Sequence, residues 1–199
     1  GMICCLALAA VCFVYLGAVG GLPLIVIGIC SILAALAYSG GPFPLASNSL
    51  GEVFVFIFFG LVAVCGTYWA QALSLSQLAI FASLPPGLLI TAIMVINNLR
   101  DIETDQKAGK YTLAVRLGRK KTKLFYQSLL WTSYLVPLAL LLHPSVDLPI
   151  LLPLITAYSG WRLHREVITA QGKELNETLA STAKLSFLFS FLFALGLAL

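Results

Sequence analysis

The chain has 199 residues, of which 60% are hydrophobic and 10% charged, and its mean hydropathy is +0.98. A soluble domain carries about 25% charged residues, so a water-soluble globular class is excluded and lipid is the solvent for most of the length. The net charge of +4 does not point to nucleic acid, because all twelve Lys and Arg fall in two blocks, 100–123 and 162–184, beside apolar runs.

Seven apolar segments are predicted to be helical spans: roughly 2–19, 22–39, 52–73, 78–97, 124–142, 148–162 and 179–199. The expected fold class is therefore all-α, a polytopic transmembrane helix bundle, with residues 1–199 as a single domain. The first segment has no basic leader and no cleavage site of signal-peptide type. A start at Gly1 inside an apolar run reads as a piece of something longer. Cys4, Cys5, Cys12, Cys30 and Cys65 all lie in apolar runs without metal or disulfide spacing, and read as small hydrophobes. Glycines 17, 20, 28, 60 and 66 allow close helix approach. Pro85-Pro86 interrupts the fourth segment, either as a bend around a cavity or as an ordinary proline kink. The sixth segment is short for a span. His143 and His164 stand at helix ends, where interfacial or capping roles are expected. Trp69, Trp131, Trp161 and Tyr158 read as interface or packing residues.

Linkers near 20–21, 74–77 and 143–147 contain no Lys or Arg. If the seven spans alternate, both cationic blocks and the loop 40–51 share one side. The positive-inside rule places that side, with the 98–123 loop, in the cytoplasm, and a bacterial cytoplasmic membrane is the expected location.

The chemistry concentrates after the fourth segment. Asn97, Asp101 and Asp105 are four residues apart, so on a helix they share one face. An amide oxygen and two carboxylates are hard donors suited to Mg²⁺, which also takes substrate phosphate oxygens. The stretch that follows supplies Lys107, Lys110, Arg116, Arg119, Lys120, Lys121 and Lys123. Cations beside such a face, at the end of an apolar helix, suit a diphosphate whose tail lies in lipid. The expected metal ligands are Asn97, Asp101 and Asp105, with Lys110 and either Lys107 or Arg116 on the phosphates. Arg100 points about 100° from Asp101 on an ideal helix, which leaves its role open. From spacing alone a solvated loop with ion pairs, such as Asp105 with Lys110, fits as well.

Asn97-Asn98-Leu99-Arg100-Asp101-Ile102-Glu103-Thr104-Asp105, followed by Gly109-Lys110-Tyr111-Thr112-Leu113-Ala114-Val115-Arg116-Leu117-Gly118, resembles the second aspartate-rich motif of the UbiA superfamily of intramembrane prenyltransferases. The fuller string is most similar to its menaquinone-synthesis branch, the 1,4-dihydroxy-2-naphthoate polyprenyltransferases. Tyr38 to Leu45 with Leu50-Gly51-Glu52-Val53, and Leu175-Asn176-Glu177-Thr178-Leu179, resemble two further loops of that branch. The resemblance implies a bundle of nine helices, of which the seven here would be the last. It implies a Mg²⁺-dependent transfer of a polyprenyl group from its diphosphate to dihydroxynaphthoate, with loss of the acceptor's carboxylate and of diphosphate. It also implies metal-binding roles for Asp101 and Asp105, with Asn97 one turn earlier, and a catalytic Lys110. The branch's first motif, of the type Asn-Asp-x-x-Asp, has no match: Glu52 is the sole acid before Asp101. Two helices and half of the metal site are thus expected to lie outside these residues, leaving the chain alone inactive or nearly so. The rivals are transfer to another aromatic acceptor, a transporter with a cytoplasmic cation site, and a membrane scaffold. Glu52 itself reads either as a helix cap or as a residue facing the acceptor.

Overall fold

The computed structural model describes residues 2–199; Gly1, on which the reading of the chain's start rests, and the side chains of Met2, Ile3 and Leu6 lie outside that description. No strand occurs among the described residues. Four stretches are long and apolar enough to cross a bilayer: Ala7–Ser39, Gly51–Ala72, Gln77–Arg100 and Gly172–Ala198. The protein is an all-α membrane bundle.

Helix α1, Met2–Ser39, is two limbs rather than one rod. Gly21 breaks it at φ 68°, ψ −159°, a conformation that residues with a Cβ rarely adopt. The limbs then fold back on each other, with Phe13 packed on Gly28 and Ile25 on Gly17. The predicted pair 2–19 and 22–39 is this hairpin. The third predicted span is one continuous helical rod made of α2 (Gly51–Val55), a π-helical segment (Phe56–Val62) and α3 (Ala63–Ala72).

The fourth span is α4 (Gln77–Ala82) followed by α5 (Leu84–Arg100), and Pro85-Pro86 occupies the first turn of α5. Proline is tolerated there because the first amides of a helix have no partner within it. Ser83 absorbs the junction, its hydroxyl donating to the Ile80 carbonyl at 2.6 Å. The prolines start a helix rather than kink one. Helix α5 is the centre of the bundle. Leu89, Ala92, Val95, Ile96 and Leu99 recur at helical spacing and are essentially inaccessible. They pack against α7 (Leu113–Leu140) and α9 (Leu175–Ala198), where Tyr126, Leu130 and Phe189 complete the core. On the other side α5 meets the π-helical segment at a close backbone crossing. A methyl group added to Gly60 would stand 2.7 Å from the Gly87 Cα.

The sixth span begins with nine residues of 3-10 helix, Leu148–Thr156, before α8 (Ala157–Thr169). Runs this long are uncommon. Pro149 and Pro153 lack the amides that an α-helix would need here. A 3-10 turn rises about 2.0 Å per residue against 1.5 Å, so residues 148–162 reach roughly 27 Å rather than roughly 22 Å. That stretch compensates for an apolar run that is short by residue count. Its polar contacts are internal: the Tyr134 hydroxyl donates to the Thr156 carbonyl at 3.0 Å, and the Trp131 indole donates to His164 Nδ1 at 3.1 Å. His143 Nδ1 accepts from the Ser145 amide at 3.2 Å, a bond within the turn after α7, whereas His164 lies inside α8 rather than at a helix end.

Hydrogen bonds join several of the connections at each end of the bundle. The Trp69 indole, near the end of α3, donates to the Gly20 carbonyl at 2.9 Å and so joins the first two uncharged linkers. At the opposite end, the Tyr111 amide donates to the Ser47 carbonyl at 2.8 Å and the Ser49 hydroxyl donates back to the Tyr111 carbonyl. Lys123 donates to the carbonyls of Ile168 and Ala170 at 2.8 and 3.1 Å, capping the end of α8.

Candidate functional site

Helix α5 ends at Arg100, and the short helix α6 (Ile102–Lys107) starts one residue later. Asp101 lies between them at φ −94°, ψ 7°, outside the helical region. The hydrogen-bond register nevertheless runs through the break. The Asp101 amide donates to the Asn97 carbonyl at 3.1 Å and the Asp105 amide to the Asp101 carbonyl at 2.9 Å. Asn97, Asp101 and Asp105 therefore stay on one wall, and all three line a cavity of about 540 Å³ with Lys110 and Tyr38. The chain folds back after α6, where the Lys110 amide donates to the Asp105 carbonyl at 2.9 Å. That turn brings the Lys110 ammonium to 3.6 Å from the Asp105 carboxylate. Lys107 and Arg116 are exposed and are not part of the cavity lining.

The residue that sequence spacing left open is the hub of the site. Arg100 holds Asp101 in a bidentate pair, Nε to Oδ1 and a terminal nitrogen to Oδ2, both at 2.7 Å. The same guanidinium donates to Asn97 Oδ1 at 2.9 Å and to Asn176 Oδ1 at 2.8 Å. It thereby ties the acidic wall to the start of α9. The ideal-helix angle does not apply here, because the helix ends between the two residues and a long planar fork reaches around the turn. The adjacent Arg-Asp pair at a helix end was the available signal.

The Arg100 hydrogen bond holds the Asp101 carboxyl below its ordinary range, against a smaller opposing effect of burial. A depressed folded pKa means that the pair's contribution is complete above the unfolded value, near pH 4, and is lost as pH falls through the folded one. The thermal midpoint in detergent is expected to decline below about pH 4, and less so in Asp101→Asn. An equal acid dependence in both would remove Asp101 as its source.

Behind the cavity, Glu52 is 4% exposed in the first turn of α2, and its Oε1 accepts from Asn98 Nδ2 at 2.9 Å. Its partner is thus a side chain of the acidic motif itself, and it does not line the cavity. Asn98→Leu would strand a buried acid, costing about 2 kcal/mol or more. The thermal midpoint should fall and partly recover in Glu52→Met/Asn98→Leu; an unchanged midpoint in the single variant would show that the pair carries no stability.

A second cavity, of about 590 Å³, continues from the first through Tyr38, Val55 and Phe59, which line both. Its walls are apolar: Ala34 and Ala35 of α1, and Phe54, Phe58 and Val62 of the facing rod. The Tyr38 hydroxyl stands at the junction, 3.5 Å from Met94 Sδ. A charged pocket thus runs into an apolar groove.

For a cation, the donor chemistry is an amide oxygen and two carboxylates on one wall. Among the described residues no three His, Cys, Asp or Glu side chains converge. This set fits Mg²⁺ as the companion of a bound phosphate, for which one or two carboxylates suffice, and not as an all-protein cage.

A membrane-embedded helical bundle with an acidic and cationic pocket at the head of an apolar groove is the class these observations define. The chain belongs to the UbiA prenyltransferase family, which matches it over residues 1–197. It is 38% identical to a 1,4-dihydroxy-2-naphthoate octaprenyltransferase of Haemophilus influenzae over 86% of this chain and 56% of that protein. It is 41% identical to the protein of that name in Mycobacterium tuberculosis, over 67% of this chain and 49% of the relative. It is 31% identical to the human UbiA prenyltransferase domain-containing protein 1, over 96% of this chain and 54% of the relative. The chain spans about half the length of these curated relatives.

Proposed function

We propose that this chain forms a single membrane domain, residues 1–199, that carries part of the site for Mg²⁺-dependent prenyl transfer from a polyprenyl diphosphate to 1,4-dihydroxy-2-naphthoate. The observation that carries this reading is the continuity of the two cavities, which matches the polarity of the donor: a charged head and a long apolar tail. The names of the relatives support the naphthoate as acceptor.

Asn97, Asp101 and Asp105 would hold the ion, which when bound neutralises the diphosphate as it leaves. Lys110 sits beside Asp105 and is the cation within the cavity that can follow the phosphates. Lys107 and Arg116, on exposed surface beside it, would add a general positive potential. The allylic C–O bond breaks as the diphosphate departs, and the electron-rich ring of the acceptor forms the new C–C bond, losing its carboxylate as carbon dioxide. The apolar walls of Phe54, Phe58 and Phe59 keep water from that carbon. We place the wall and its loops on the cytoplasmic face of a bacterial membrane, where the Lys and Arg blocks belong.

In the free chain both carboxylates are already answered, Asp101 by Arg100 and Asp105 by Lys110. Both carboxylates would have to leave those partners to take an ion, so the 199-residue chain by itself should give little or no product. The test is prenyl transfer in membranes from cells expressing the gene product that carries this chain, with Mg²⁺, a polyprenyl diphosphate and dihydroxynaphthoate. Prenylated naphthoquinol, detected as the quinone after oxidation by air during extraction, is the expected product. Product with another aromatic acceptor alone would keep the reaction and discard the naphthoate. No product with any acceptor, together with cation uptake into vesicles, would replace the enzyme by a transporter.

A further inference from the structure

We propose that the cleft between α8 and α9 is a binding site for the phosphodiester headgroup of an anionic phospholipid. The site is separate from the acidic cavity and does not depend on the prenyl-transfer reading.

The cleft has a volume of about 230 Å³. Its polar rim carries Arg162, Lys184, Ser159 and Ser181, and Leu185 and Leu188 line it toward the apolar part of α9. Arg162 stands seven residues before the end of α8 and Lys184 nine residues after the start of α9. In two helices joined by a short connection these positions lie at one depth, about 11–14 Å from the turn. A cation placed there on a spanning helix reaches for the phosphate layer.

Neither cation is consumed by the protein. Arg162 uses only its Nε, donating to Glu166 Oε1 at 2.8 Å, and its side chain is 70% exposed. Its terminal nitrogens keep the fork that binds phosphate oxygens in pairs. Lys184 has no ion pair among the described residues. The one carboxylate in the cleft, Glu166, is held by Arg162, so the rim keeps a net positive charge. The hydroxyls of Ser159 and Ser181, each one turn from a cation, add donors on either side of that level.

The flanks mark the lipid boundary. Tyr158 and Trp161 lie on adjacent turns of α8, exposed at 74% and 47%, and their rings pack 6.4 Å apart. Arg165 covers the Trp161 face at 5.1 Å. Aromatic rings of this kind settle at the headgroup level. Basic pockets between membrane helices take anionic headgroups, and here Leu188 offers an acyl chain a path down α9.

The experiment is native mass spectrometry of the detergent-solubilised protein titrated with dioleoyl phosphatidylglycerol or dioleoyl phosphatidylcholine. The wild type should retain the former preferentially. Lys184→Gln should weaken that retention about fivefold, and Arg162→Gln/Lys184→Gln more than tenfold, leaving phosphatidylcholine unchanged. Lys120→Gln/Lys121→Gln, in the other cationic block, should have little effect. An equal loss in that control would overturn the site in favour of diffuse attraction. Displacement by millimolar inorganic phosphate would overturn the lipid and leave a free-anion site. Should the double variant unfold, Lys184→Gln alone decides, since that side chain is exposed.

Discussion

Asp101→Asn is expected to lower prenyl transfer by at least about a hundredfold, the scale on which losing one well-placed electrostatic partner of a developing charge acts. The substitution preserves shape but removes the charge that Arg100 grips at two oxygens. An amide can accept one of those hydrogen bonds while turning its own NH₂ toward the guanidinium. The fold should tolerate this, because the pair is partly solvent-screened, at 28% and 33% exposure. The measurement is product formation in membranes beside the thermal midpoint of the purified variant. Loss of product with a midpoint lowered only slightly, and product partly restored in Asp101→Glu, is the expected pattern. Full activity in Asp101→Asn would remove Asp101 from the reaction.

Gly87→Val is expected to produce a large loss of stability at the crossing of α5 and the rod. A methyl group at Gly87 would stand 2.9 Å from the Gly60 Cα and 3.2 Å from the Phe56 ring. The obstacle is the backbone of another helix and cannot rotate away, so α5 and the rod must separate. Overpacking of that kind costs about 3 kcal/mol. The π-helical turn that carries Gly60 would shift with it, and so would Val55 and Phe59 on the wall shared by both cavities. A fall in the detergent thermal midpoint checks it, with Gly66→Ala as the comparison. There an added methyl meets only Ile27 Cδ1, at 4.0 Å, and little change is expected. Equal midpoints in the two variants would show that the crossing is not tight.

The spans were legible because lipid allows few solutions: each apolar run of sufficient length becomes a helix that satisfies its own backbone. Even the turn at Gly21 lies where the uncharged linker 20–21 stands. Less legible was how a run as short as 148–162 spans, since that depends on a 3-10 stretch imposed by Pro149 and Pro153 rather than on hydropathy. The acidic wall followed from fourfold spacing because the hydrogen-bond register survives the break at Asp101. What spacing could not give was the third dimension. Asn98 meets Glu52 from 46 positions away, and Arg100 meets Asn176 from 76. The exposure of Lys107 and Arg116, away from the cavity that Lys110 lines, is likewise a matter of how the chain folds back after α6.

The stitching of the loop before α2 to the loop before α7, through Ser47, Ser49 and Tyr111, has a kinetic consequence. With those loops joined over the charged end, the apolar groove beside α1 is the open flank of these 199 residues, where Phe59 is 58% exposed. For the prenyl transfer proposed above, a donor arriving along that flank would come from the bilayer, and the concentration that governs turnover would be its mole fraction among lipids rather than its molarity in the tube. Adding inert lipid or detergent at constant donor should slow the reaction, as dilution slows a reaction in solution.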